Sequence, residues 1–249
     1  GMHELIGRRL AIKCLHTHFS SNPEMVERFH REARAATAVG NEHIIEVTDA
    51  GAFDDGAPFL VMEFLDGVGF ADLLQETPAL PIGRLVHIAT QMCDALAAAH
   101  AQGIVHRDIK PENVFLLRRG GDRDFVKVLD FGISKVRTAE ESLAGGAGGT
   151  GGPGSLTRTG MALGTPYYMP PEQARGVRDI DHRADIYALG VILFQGLTGR
   201  MPFDAESYPA LMVKILTEPP LPLRHFRPDV PEALERVVMR ALAKDRDAR

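Results

Sequence analysis

The sequence predicts an α+β protein of two lobes, a small strand-rich lobe followed by a larger, mainly helical one. Two observations carry this. Short apolar runs and one capped helix crowd into the first 63 residues, whereas 3.6-residue periodicity takes over from Asp66. The chain has 249 residues, 45% apolar and 24% charged, an ordinary balance for a soluble globular chain. No internal repeat interrupts the order, and two unlike lobes in succession imply a cleft between them.

The elements follow in order. Gly1-Met2 reads either as a tag scar or as the stub of a longer sequence. Leu10 to Leu15 reads as a short buried strand in which Ala11 and Lys13 share one face and Ile12 and Cys14 the other. A lysine there needs a reason, because an unpaired buried ammonium is costly. Asn22-Pro23 marks a helix start, with Asn as N-cap and Pro at the first helical position. Met25, Phe29, Ala33 and Ala36 then make an apolar stripe as far as Val39. Ile44 to Val47 and Phe59 to Met62 read as strands on either side of Asp54-Asp55-Gly56. Leu85 to His100 is helical, with Gly103 as its stop. Strands are expected at Val114 to Leu117 and Val126 to Leu129, and helices at Ala184 to Leu197, Tyr208 to Thr217 and Pro231 to Lys244. Ala144 to Ser155 holds seven glycines in twelve residues and reads as a flexible loop.

Composition removes several classes. A net charge of −5 and a pI near 6.1 argue against a general nucleic-acid binder. Cys14 and Cys93 are too few for a disulfide framework and read as small buried residues in a reducing compartment. The longest apolar stretch, Ile186 to Leu197, is broken by Gly190, Gln195 and Gly196, so no membrane segment is expected. No charged-then-apolar run opens the sequence, so no signal peptide is expected in it.

The chemistry concentrates in His106-Arg107-Asp108-Ile109-Lys110-Pro111-Glu112-Asn113, followed by Asp130-Phe131-Gly132. Asp, Lys and Asn at i, i+2 and i+5 suit phosphoryl transfer. That reaction needs an oriented acceptor, a cation on the moving phosphate, and Mg²⁺ to spread charge. Asp108 can hold a hydroxyl and take its proton, and Lys110 can neutralise the transferred group. Asn113 and Asp130 can supply oxygens to Mg²⁺.

With these motifs the chain resembles a bacterial eukaryotic-like (Hanks-type) serine/threonine protein kinase. The resemblance implies a bilobal kinase-like fold with an N-lobe and hinge over 1–65, a C-lobe over 66–249 and an activation segment over 130–172. Leu10-Ala11-Ile12-Lys13 is similar to the family's strand lysine motif, so Lys13 is expected on the α- and β-phosphates. Glu32, by itself a solvated helix charge, becomes that lysine's partner. Val61-Met62-Glu63-Phe64-Leu65-Asp66-Gly67 resembles the hinge. Met62 is then the gatekeeper, and the backbones of Glu63 and Leu65 meet the adenine edge. Asp66 either reaches the ribose or is a turn residue. Ala11 and Phe115 would sandwich the adenine, although Phe115 alone reads as core.

Gly164 to Glu172 resembles the end of a Ser/Thr activation segment. Thr165 would bond Asp108 and Lys110, and Arg107 would receive a phosphate on Thr157 or Thr159, with Ser155 a weaker candidate. Glu172 paired with Arg249, and Asp185 holding the catalytic loop, are expected structural supports. The resemblance implies ATP and Mg²⁺ as cofactors and Ser/Thr proteins as substrates, with transient self-association for autophosphorylation. The location implied is cytoplasmic, with any membrane anchor lying outside this region. Pro170 departs from the small residue usual before Pro-Glu.

No Gly-x-Gly-x-x-Gly loop precedes Lys13, and the chain stops before the family's last helix. The expectation is therefore an incomplete domain over 1–249, a fragment or a misassigned start that transfers phosphate poorly by itself. The alternatives are a pseudokinase or nucleotide-binding scaffold, and a small-molecule phosphotransferase of kinase-like fold. The first is favoured only by the absent loop. The second lacks the Arg107/Lys110 pattern.

Overall fold

The computed structural model describes residues 1–15, 20, 22–130 and 166–249. The chain folds into a small lobe built on a sheet and a larger helical lobe. In the small lobe, β1 (Leu10–Cys14), β2 (Val47–Ala52) and β3 (Pro58–Glu63) form an antiparallel sheet in the order β1-β3-β2. Helix α1 (Pro23–Val39) packs on one face, where Phe29, Ala33 and Leu60 make a buried cluster. Its boundaries are local chemistry. The Asn22 side chain accepts from the N–H groups of Glu24 and Met25, and Gly40 closes the helix in the left-handed conformation.

Strand alternation in β1 is as expected, with Ala11 and Lys13 turned inward and Ile12 and Cys14 outward. One consequence corrects the cysteine expectation. Cys14 lies on the open face of the sheet and Cys93 on the outer face of a helix, so both are exposed. The strand expected at Ile44 to Val47 is also displaced. The strand begins at Val47, while buried Ile44 and Ile45 reach across to the other lobe, where Ile44 bridges Val128 in parallel.

The larger lobe opens with β4 (Gly67–Gly69), which the helical reading from Asp66 did not anticipate. Helices α2 (Phe70–Glu76) and α3 (Ile82–His100) follow. Strands β5 (Val114–Arg119) and β6 (Asp122–Val128) complete a second antiparallel sheet in the order β4-β5-β6. The chain continues through the short α4 (Pro171–Ala174) to α5 (Arg183–Thr198), α6 (Tyr208–Thr217), the short α7 (Leu223–Phe226) and α8 (Glu232–Ala241). The last ends three residues earlier than expected, before a short 3-10 turn at Arg246–Ala248.

Helix α5 is apolar on nearly all sides and is accordingly the central core helix. Its two interior glycines permit close packing. A Cβ on Gly190 would lie 2.8 Å from Ala241, and one on Gly196 would lie 2.8 Å from Leu85. Among the described residues, no helix is long and apolar enough to cross a membrane. The glycine tract 144–155 lies outside the described residues.

Candidate active site

Lys13 explains its place in β1 by its partners. Its ammonium lies 2.6 Å from Asp130 Oδ1 and 3.6 Å from Glu32 Oε2. Asp130 follows β6 from the other lobe, so this lysine spans the cleft, while Glu32 comes from the inward face of α1. These three residues line a pocket with Met62, Leu60 and Val47. The expected gatekeeper therefore sits beside the expected phosphate lysine.

The loop after α3 carries the second group. Asn113 donates through Nδ2 to the Asp108 carbonyl at 2.8 Å and to its carboxylate at 3.3 Å. Lys110 Nζ stands 3.3 Å from the same Asp108 oxygen, Oδ2. The three expected catalytic residues are thus gathered on one carboxylate. With its nitrogen committed to Asp108, the remaining polar atom of the Asn113 amide is an oxygen. An amide oxygen and the Asp130 carboxylate are the donors Mg²⁺ takes alongside phosphate, so the residues present fit that ion.

The loop is held from below. Asp185, 1% exposed near the start of α5, accepts His106 N at 2.9 Å, Arg107 N at 2.8 Å and His100 Nε2 at 2.8 Å. His106 is fully buried. Its Nε2 donates to the Leu129 carbonyl at 2.8 Å, and its Nδ1 accepts from Asp108 N at 3.3 Å. One imidazole therefore ties the strand leading to Asp130 to the loop that carries Asp108. Arg107 and Asp130 both have positive φ, +65° and +47°, a strained backbone that gathers at functional sites. Arg107 Nη2 donates to the Ile180 carbonyl, and its buried Nε has no partner among the described residues.

A second pocket runs from Arg107 and Asp108 to Tyr168, Met169, Pro170 and Gln173. Its outer wall is fixed from beneath. Glu172, in the first turn of α4, forms a bidentate pair with Arg249, whose side chain is wholly buried. Tyr168 donates to Gln195 at 2.7 Å.

The hinge residues are placed less simply. Leu65 packs against the main core, and the N–H of Glu63 is already given to the Glu46 carbonyl. Asp66 is highly exposed and pairs with Arg9 at 2.7 Å, and that guanidinium also lies over the Phe64 ring. In this structure the carboxylate expected on ribose is engaged by an arginine. Ala11 is opposite Met62 in the first sheet and Phe115 is opposite Gly69 in the second, so the two lie on different sheets. Phe131, Gly132, Thr157, Thr159 and Thr165 lie outside the described residues.

Sequence reasoning assigned nothing to His100, His106, Arg9 or Lys127. Lys127 had a signal, a charge inside the apolar run Val126-Lys127-Val128, the same signal that singled out Lys13. His106 sat inside the decisive motif without a role.

A protein-kinase-domain family model matches residues 1–249. The chain is 48% identical over 244 residues to serine/threonine-protein kinase Pkn1 of Myxococcus xanthus, covering 98% of this chain and 33% of that protein. It is 43% identical over 238 residues to serine/threonine-protein kinase pkn3 of the same organism, covering 95% of this chain and 42% of that protein. This chain thus spans less than half the length of either relative. Among solved structures it is similar to the Mycobacterium tuberculosis PknI kinase domain, with a TM-score of 0.68 and 30% identity. That match covers 96% of this chain and 79% of the other.

Proposed function

The chain belongs to the protein kinase domain family, and from that premise we propose that it transfers the γ-phosphate of ATP to serine and threonine hydroxyls of proteins. The observation that carries this reading is how the two lobes meet in the cleft. Lys13 and Glu32 of the small lobe reach Asp130 of the larger lobe, whose neighbour Leu129 donates its N–H to the carbonyl of Asn113, beside Asp108 and Lys110. Lys13 holds the α- and β-phosphates. Asp108 orients the acceptor hydroxyl and takes its proton as the new O–P bond forms and the bond between the β-γ bridging oxygen and the γ-phosphorus breaks. Lys110 stabilises charge on the moving group, and ADP leaves. Mg²⁺, held by Asp130 and Asn113, would supply charge neutralisation on the phosphate oxygens. The hinge backbone at Glu63 and Leu65 reads the adenine edge. Ala11 and Phe115 cover its faces, and Asp66 meets the ribose once released from Arg9. The reading places this chemistry in the cytoplasm, where ATP is held.

Regulation belongs to the same reading. A phosphate on Thr157 or Thr159, within an activation segment over 130–172, meets Arg107, and a second copy of the chain supplies it. The buried Nε of Arg107, unpartnered among the described residues, supports this. Thr165 contacts Asp108 and Lys110 and favours Ser/Thr acceptors.

Asp108→Asn tests the assignment. It removes the basic oxygen and keeps the shape, so turnover on a serine-containing protein substrate falls at least about a hundredfold with ATP binding retained. Near-wild-type labelling by that variant would overturn the reading.

A further inference from the structure

Lys127 is the penultimate residue of β6 and is 6% exposed. An ammonium so buried persists only where its protons reach acceptors. Its Nζ lies 2.6 Å from Glu63 Oε1 and donates to the Ile44 carbonyl at 3.1 Å. The same Glu63 oxygen accepts the Glu46 N–H at 2.9 Å, and the Glu63 N–H returns to the Glu46 carbonyl at 3.0 Å. These groups come from three stretches of chain: the last residue of β3, the connector between α1 and β2, and β6 of the other lobe. The connector is pinned to β6 further along. Val128 N donates to the His43 carbonyl at 2.7 Å, and Ile45 N donates to the Val128 carbonyl at 3.0 Å. His43 Nδ1 stands 3.0 Å from the Val126 carbonyl.

The consequence falls on Glu63. It is the first residue of the segment that crosses between the lobes, and its neighbour Met62 lines the pocket of Lys13 and Asp130. To rotate the peptides that follow Glu63, the chain must pull a carboxylate away from a buried ammonium and from the Glu46 N–H. Lys127 itself is not among the residues lining that pocket, so its influence runs through Glu63.

We propose that Lys127 is a positioning residue for adenine recognition. Its ion pair with Glu63 fixes the backbone of residues 63–65 in the geometry that meets the adenine edge, and so sets the affinity of the cleft for adenine nucleotides. This rests on the kinase reading of the cleft. A backbone held ready binds more tightly than one that must be ordered on binding, because the ordering cost is already met.

Calorimetric titration with adenosine and with Mg-ADP tests it, with the melting temperature measured alongside. Adenosine reads the hinge without the phosphates. Lys127→Met weakens both ligands by a similar factor, about tenfold for a hinge that must now be ordered. Lys13→Ala weakens ADP and leaves adenosine unchanged. Lys127→Met combined with Glu63→Gln leaves no charge unpaired, so it recovers stability but not affinity. It also serves as the test should the single variant not fold. If the double variant binds adenosine as the wild type does, or if Lys127→Met binds it unchanged, the positioning role is overturned and the kinase reading stands. If the wild-type chain binds neither ligand, both are overturned.

Discussion

Replacing Asp185 by asparagine probes how the catalytic loop is held. The carboxylate receives His106 N and His100 Nε2 on Oδ2 and Arg107 N on Oδ1. Asparagine has nearly the same shape but one oxygen. Placed at the Oδ2 position, that oxygen keeps two donors and turns the NH₂ toward the Arg107 N–H, which loses its acceptor. An orphaned buried donor costs about 1–3 kcal/mol, and exchanging an ionised for a neutral acceptor removes roughly half the strength of the two bonds kept. The total is about 3 kcal/mol, a fall of ~1 M in the urea midpoint for a slope near 3 kcal/mol/M. Function changes by a separate route. Arg107 holds φ at +65° while its N–H is anchored to Asp185. With the anchor gone, the loop relaxes toward ordinary backbone and Asp108, the next residue, loses its aim. We expect kcat on a serine substrate to fall at least about tenfold, while KM for ATP, set at the hinge and Lys13, moves less than about twofold. The reasoning is refuted if Asp185→Asn stays within about 0.5 kcal/mol of wild type and keeps its kcat.

Glu172→Gln leaves the buried Arg249 guanidinium without an anionic partner and turns an NH₂ toward one of its N–H groups, which should cost about 3–5 kcal/mol in chemical denaturation; a loss under about 1 kcal/mol contradicts this. Burial holds the Lys244 amine down at about 8, against an ordinary 10.5, while its Nζ donates to the Ile215 and Lys214 carbonyls at the end of α6. Between those two values the unfolded chain binds more protons than the folded one. Stability therefore rises with pH across that window, and Lys244→Met should flatten the rise in a series of urea curves. Mass spectrometry of the active chain should find phosphate on Thr157 or Thr159, and the double alanine variant should lose activation. An active chain without phosphate on either threonine, matched by a fully active double variant, rules the regulation out.

What the sequence made legible was local, or carried by a motif whose members sit close in the chain. Asn22-Pro23 and Gly40 bound α1 because a cap and a left-handed stop are properties of a few adjacent residues. Asp108, Lys110 and Asn113 meet because five residues of loop can hardly separate them. The strand at Val47–Ala52 was misplaced because its Val-Thr-Asp-Ala-Gly-Ala has little strand propensity of its own. Pairing with β3 makes it a strand, while the better strand formers at Ile44 and Ile45 are spent on the other lobe. The cysteines were misread because alternation says which residues share a face but not which face is covered.

Lys13 and Lys127 make the same point at the site. Each is a lone charge within an apolar run of its strand, and each is paired with a carboxylate 2.6 Å away. The partner of Lys13 is 117 residues distant, and that of Lys127 comes from a strand of the other lobe. Neither distance can be read from a window of sequence. A buried charge announces that a partner exists, because the desolvation cost is otherwise unmet. Lys13 was assigned only because its motif named a partner, whereas Lys127 carried the same physical demand with no motif attached. A lone charge in a buried strand therefore marks a long-range contact whether or not a family pattern names its partner. Here both contacts cross the same cleft, one at the phosphate side and one behind the hinge.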